Sequence, residues 1–319
     1  MKRFACIVCL WLGLCCGQRA WASAEREQQF TYHWYAAWEA LQNQPYGSAL
    51  AQLLFCEQLN PQDALTKEYI AVLYNAIGRT DEAAAYLKKA YELDPAKRWF
   101  LYSAALYRSG EPEQHKTLLK VAQKVVKLDA KNEDAWDNLR QAALVNKKYR
   151  LALSAQDEID RLHGYDGMSA LNRYRIYAMM GKGKKAVAEI DRYLASDPDN
   201  LQFWLLKVQV LEAVQAPFAM CEAAYLQVLR LDPNNLTALN NYAYLLAVNG
   251  GDLRKAEQLS QRTIREQPEN PVFLDTYAWI LHLQGQDVLA AFYIKKAVNN
   301  APEEGAEEIM QHYRVIVKD

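Results

Sequence analysis

The 319-residue chain sets 37 lysines and arginines against 38 acidic residues, for a formal net charge of −1, and is 51% hydrophobic and 24% charged. So even a balance leaves no electrostatic footprint for nucleic acid, whose binding rests on clustered cations. No block of like charge is long enough to act as such a footprint, and Lys147-Lys148 and Lys182 to Lys185 are short loop clusters. The composition suits a soluble, well-packed protein.

The first expected element is a secretory signal peptide over residues 1–22. Met1-Lys2-Arg3 makes a basic start, Phe4 to Cys16 an apolar run of 13 residues, and Ala20-Trp21-Ala22 a small-x-small cleavage pattern before Ser23. The run is shorter than the roughly 17 to 25 residues that cross a bilayer. Cleavage would leave 34 basic and 38 acidic residues, a net charge of −4. The alternative is a lipid anchor on Cys15 or Cys16, where Leu14 and Cys15 replace the small residue such anchors want. Membrane attachment is expected only in that lipidated form. Cys6, Cys9, Cys15 and Cys16 all fall in the segment to be removed, so the spelling Cys6-Ile7-Val8-Cys9 is no redox motif. Cys56 and Cys221 remain, five repeats apart. With helices stacked about 8 to 10 Å apart, that is far beyond the roughly 7 Å a disulfide allows. Both are expected to be free, buried and unreactive.

After a lead-in at 23–29, one degenerate unit recurs through residues 30–304. Asn60-Pro61, Asp94-Pro95, Asp197-Pro198, Asp232-Pro233, Gln267-Pro268 and Ala301-Pro302 mark its ends at intervals of 34 or 35, with weaker ends at Ala130 and Gly164. Eight copies result: 30–63, 64–97, 98–132, 133–166, 167–200, 201–235, 236–270 and 271–304. With the end proline as position 32, position 20 reads Ala49, Ala83, Leu118, Ala152, Ala186, Cys221, Ala256 and Ala290. Position 8 reads Ala37, Ala71, Ala105, Arg140, Tyr174, Val208, Ala243 and Ala278. Small residues at two fixed places are what close helix packing requires. Gly47, Gly78, Gly110, Gly181, Gly250 and Gly285 stand at or near a middle turn.

Proline and glycine cost about 3 and 1 kcal/mol inside a helix relative to alanine, and here they fall in predicted turns. Pro45, Pro112 and Pro217 are expected between the two helices of their repeats, and Pro271 in a first helical turn. Asp63, Asn132, Asn200, Asn235 and Asn270 stand where a short polar side chain caps the next helix. The periodicity thus predicts sixteen helices in pairs. A last one in 305–319 carries Ile309, Met310, Tyr313 and Ile316 at helical spacing and would cover the end of the stack.

This pattern, with Trp136-x-x-Leu139 and Trp204 at the usual tryptophan position, resembles the tetratricopeptide repeat over residues 30–304. The resemblance implies an all-α superhelical solenoid of about eight helix-turn-helix repeats with a C-terminal capping helix. Arg140, Tyr174 and Leu118 replace small residues of the pattern, so packing in the third to fifth repeats is expected to be looser or shifted. In the family, positions 2, 5, 9 and 12 of each first helix point into a concave groove. The candidate contacts carried over on that basis are Trp34, Trp38, Arg175, Asn240, Tyr244, Asp275 and Trp279. Core packing is the competing role for each aromatic residue among them.

Family members that bind a chaperone's terminal carboxylate use basic residues on a third first helix. After Asn241 those places hold Val272 and Thr276, and after Asn138 they hold Leu171 and Asn172, so no carboxylate-clamp chaperone peptide is expected as a ligand. The run Leu274 to Leu281, following Asn241 to Leu246, is similar to the last two repeats of exported bacterial members. That similarity implies a periplasmic or outer-membrane-associated setting.

No phosphate-binding loop or nucleophile elbow is present, and the turn at Gly181-Lys182-Gly183-Lys184 does not make one. His33, His115, His163, His282 and His312 are scattered, so no catalytic residue, metal site or cofactor is expected. Asn235-Leu236-Thr237 spells a glycosylation sequon, but a helix cap accounts for Asn235. The expected function is a non-catalytic protein-interaction scaffold of the cell envelope that holds a partner's peptide or helix in the groove. The alternative is a glycan- or lipid-binding accessory protein that uses the same aromatic rings.

Overall fold

The computed structural model describes residues 23–42, 46–302, 304 and 306–317. The expected signal segment 1–22 lies outside the described residues, as does Pro45. Among the described residues there are seventeen helices and no strands. Helix α1 covers residues 23–42, so the expected lead-in at 23–29 forms its first turns. It pairs with α2 (Tyr46–Leu59), to which Phe30 and His33 are tied through Cys56 and Gln52. The later pairs are α3 (Ala64–Ala76) with α4 (Thr80–Leu93), α5 (Trp99–Arg108) with α6 (Pro112–Leu128), and α7 (Glu133–Val145) with α8 (Tyr149–His163). Then come α9 (Gly167–Met179) with α10 (Gly183–Leu194), α11 (Leu201–Ala213) with α12 (Phe218–Leu231), α13 (Leu236–Val248) with α14 (Leu253–Glu266), and α15 (Pro271–Leu283) with α16 (Asp287–Asn300). The last helix is α17 (Glu307–Val317).

Local chemistry explains most of these boundaries. The side chains of Asp63, Asn132, Asn200, Asn235 and Asn270 each accept a backbone N–H of the helix they precede, as expected. Asp166 and Asp252 do the same for α9 and α14. Pro112 is the first residue of α6 instead of a turn residue, and Pro217 is the N-cap of α12. A proline at the helix start removes only an N–H that has no intrahelical partner. The third repeat departs from the rest. Arg98 offers no side-chain cap, and α5 has 10 residues where the other first helices from α3 to α15 have 13.

The position-20 residues Ala49, Ala83, Leu118, Ala152, Ala186, Cys221, Ala256 and Ala290 are all buried. So are Ala37, Ala71, Val208, Ala243 and Ala278 at position 8. Arg140 fits the same row by turning its guanidinium onto Asp137, with Nε donating to Oδ1 at 3.1 Å. Cys56 and Cys221 are both buried and free. Burial pushes the Cys56 thiol up to about 11 and raises Cys221 as well, which removes the reactive thiolate at neutral pH.

The chain divides after Gly164 into two compact units. The first holds α1 to α8 around Leu53, Ile70, Leu87, Tyr102, Leu118 and Leu139. The second holds α9 to α17 around one cluster that includes Ile190, Leu211, Tyr225 and Tyr242 and another that includes Leu274, Ile294, Ile309 and Ile316. In the second unit α15 packs on both α13 and α17, and α17 packs also on α16. Helix α17 therefore stands where the first helix of a further pair would stand, and its Ile309 and Ile316 close the apolar end of the stack.

From α3 onward the two helices of a repeat are joined by three or four residues, and the second residue after the first helix has positive φ in every pair. Gly78, Gly110, Gly181, Gly250 and Gly285 occupy that place, but Lys147 (φ 56) and Gln215 (φ 50) fill it in the fourth and sixth repeats. A non-glycine residue there costs about 1–2 kcal/mol, partly offset by the greater chain entropy of glycine. Lys147→Gly and Gln215→Gly are each expected to raise unfolding stability by about 0.5–1 kcal/mol in urea titration, whereas Gly181→Ala lowers it by a similar amount.

Candidate functional site

In the first unit the candidate residues Trp34 and Trp38 lie one helical turn apart on α1, with ring centroids 6.5 Å apart. Tyr69 of α3 meets both edge-on, at 5.5 Å from Trp34 and 5.2 Å from Trp38. The two tryptophans have different surroundings. Trp34 packs against the buried core and stacks on Phe30, whereas Trp38 leaves 40% of its surface open. A second surface in this unit was not picked out from the sequence. Phe100 and Tyr107 of α5, both exposed, line a cleft of about 360 Å³ with Ser103, Asp137 and Asn138. They sit one place after positions 2 and 9 of the 98–132 repeat, because α5 begins one residue into that repeat, at Trp99.

In the second unit Asn240, Tyr244 and Asp275 come together on α13 and α15, where they line a cleft of about 810 Å³ with Glu212, Asn241, Val272, Thr276 and Glu308. Among the described residues, the lining contains no lysine or arginine. Helix α17 reaches into this face. Tyr244 Oη donates to Glu308 Oε1 at 2.7 Å, and His312 Nδ1 lies 2.9 Å from Asp275 Oδ1 and 3.0 Å from Oδ2. Burial, and then the neighbouring Glu308 carboxylate, holds the Tyr244 phenol well above its usual range. Burial also raises the Asp275 carboxyl, against the opposing pull of His312.

Trp279 is placed differently from an open anchor. The His312 ring stacks on it at 4.2 Å and 20°, and its indole N–H is buried without an acceptor. Arg175 is exposed on α9 and is not among the residues that line the cleft. Four of the five second-unit candidates thus gather around α13, α15 and α17, and His312 of α17 already lies against two of them, Asp275 and Trp279. Glu212, Asn241 and Glu308 are further lining residues that were not selected from the sequence. Asn241 was legible there as the neighbour of Asn240. The contact with Glu308 was not, because it spans 64 residues.

No group of three or more metal-binding side chains occurs among the described residues, and no described helix is long and apolar enough to cross a membrane.

Two outcomes follow from these surroundings. Trp34→Ala should lower stability by about 2–3 kcal/mol and Trp38→Ala by less than about 1 kcal/mol, as read by urea unfolding. His312→Ala leaves the Asp275 carboxylate buried without its partner, and should cost about 3 kcal/mol at neutral pH in the same measurement.

Profiles of the family described as tetratricopeptide repeat match residues 70–97 and 224–258. A 194-residue stretch is 27% identical to U-box domain-containing protein 70 of Oryza sativa subsp. japonica, covering 56% of this chain and 24% of that protein. The chain thus spans about a quarter of that relative's length. The C-terminal part of a TPR repeat-containing protein from Cytophaga hutchinsonii is 15% identical and overlays 77% of this chain and 98% of that chain with a TM-score of 0.55, and it has the same fold. A tetratricopeptide repeat protein from Parabacteroides merdae, 16% identical, overlays 80% of this chain and 98% of that chain with a TM-score of 0.41. Two matched repeats, paired helices closed by small residues at positions 8 and 20, and the shared fold show that this chain carries tetratricopeptide repeats and has the tetratricopeptide repeat solenoid fold.

Proposed function

We propose that this protein is a non-catalytic scaffold of the bacterial cell envelope that holds a segment of a partner protein against the first-helix face of its repeats. Tetratricopeptide repeats in general serve as protein-interaction scaffolds, and the finer reading rests on one observation. The first helices α13 and α15 converge, with α17, on a cleft of about 810 Å³ with polar groups on its walls, large enough for side chains of an extended segment. Trp38, exposed on the equivalent face of the first unit, supplies the kind of aromatic anchor that carries binding energy at interfaces.

The envelope setting is supported by the signal-peptide pattern of residues 1–22 and by the similarity of the last two repeats to exported members of the family. A second reading, glycan or lipid binding, draws support from the exposed rings of Phe100 and Tyr107 along one cleft. The two readings separate in a single experiment. A photoreactive residue at position 38 or 244, cross-linked in living cells of the source organism, should capture one or two recurrent envelope proteins. Capture of glycan or lipid alone would favour the second reading. Intact mass of the same purified protein should show loss of residues 1–22 with no added lipid. An unprocessed N-terminus would remove the envelope assignment.

A further inference from the structure

Buried polar groups need partners, and an acceptor left without a donor in the free protein points to a donor supplied from outside. Asn240 is such a case. It is only 3% exposed, its Nδ2 donates to Asn241 Oδ1 at 3.3 Å, and its Oδ1 accepts nothing. The same cleft carries the carboxylates of Glu212, Asp275 and Glu308. Each has a donor within the chain, from Tyr225 Oη, His312 Nδ1 and Tyr244 Oη respectively. An ionised carboxylate offers about four lone-pair sites, so most of this acceptor capacity is unused. Among the described residues, no lysine or arginine lines the cleft to balance the charge. A backbone N–H of any segment could reach the Asn240 carbonyl, but an acidic or purely apolar side chain would leave the negative charge of the cleft unmatched.

We propose that this cleft receives a lysine or arginine side chain of the partner segment, whose N–H groups meet the Asn240 carbonyl and the surrounding carboxylates. The inference rests on the scaffold reading and adds the chemistry of the partner to it. A guanidinium suits the arrangement best, because its N–H groups form a fixed planar fork that can reach more than one acceptor at once. Glu212 is exposed and accepts the buried Tyr225 hydroxyl, and glutamine keeps an oxygen for that contact, so Glu212→Gln tests the charge alone. Asn240 tests the unmatched acceptor. A leucine there removes a buried carbonyl that has no donor in the free protein, so Asn240→Leu should keep or raise the melting midpoint while weakening binding. A merely structural asparagine would show no effect on binding.

The test uses the purified full chain and pools of short fluorescent peptides with random flanks and one fixed central residue: arginine, lysine, norleucine or glutamate. The arginine and lysine pools should bind about ten-fold more tightly than the norleucine and glutamate pools. In Glu212→Gln and in Asn240→Leu that preference should fall to within about two-fold, with melting unchanged or raised. Equal binding of the arginine and norleucine pools would overturn the cationic assignment while leaving the scaffold reading in place. A cation preference that survives both substitutions would move it away from this cleft and so overturn it too. Absence of binding by every pool would overturn both readings.

Discussion

The close approach of two helices at small side chains is the contact on which everything else in this protein depends. Alanine at positions 8 and 20 of most repeats lets the helices of a pair come together with no side chain to displace, and each such alanine at position 20 is buried. Larger residues also occupy those rows. Leu118 is buried in the repeat whose first helix is shortened, and Arg140 turns its charge onto Asp137. Once the pairs are set at this spacing, the same few positions of each first helix must face outward. The recurring face follows from the packing of the other one.

That face differs between the two units. In the first it is aromatic, with Trp38 open and Trp34 committed to the core beside Tyr69. In the second it is polar and acidic, and a terminal helix completes it. Helix α17 shields the apolar end of the stack through Ile309 and Ile316, while its other side contributes Glu308 and His312 to the cleft wall. The helix that closes the stack thereby also shapes the candidate surface. Its contacts are also polar ones made at the edge of burial, where an unpaired group is costly.

Much of the fold was legible because its determinants are local. Asp63, Asn132, Asn200, Asn235 and Asn270 could be recognised as caps from their place before an apolar-periodic run, and each caps in the structure. Lys147 and Gln215 were not recognisable as left-handed residues, since nothing in their chemistry favours that conformation and only the closure of the helix pair imposes it. The register of α5 was obscured for a related reason. Arg98 provides no capping side chain, so the first turn of that repeat carries no local mark of where it begins.

The candidate site was legible in outline only. Periodicity alone put Asn240, Tyr244 and Asp275 on one face, because a repeat of 34 or 35 residues returns the same helix position to the same side. It could not show that His312 lies over Trp279, that Glu308 accepts the Tyr244 hydroxyl, or that Asn240 keeps a carbonyl without a donor. The sequence by itself determined the helices, their pairing and the face each first helix presents, since these follow from spacing within a repeat and from backbone preferences of single residues. Only the tertiary structure decided which of those faces stay open and which acceptors go unmatched, because that depends on side chains brought together from distant helices by packing.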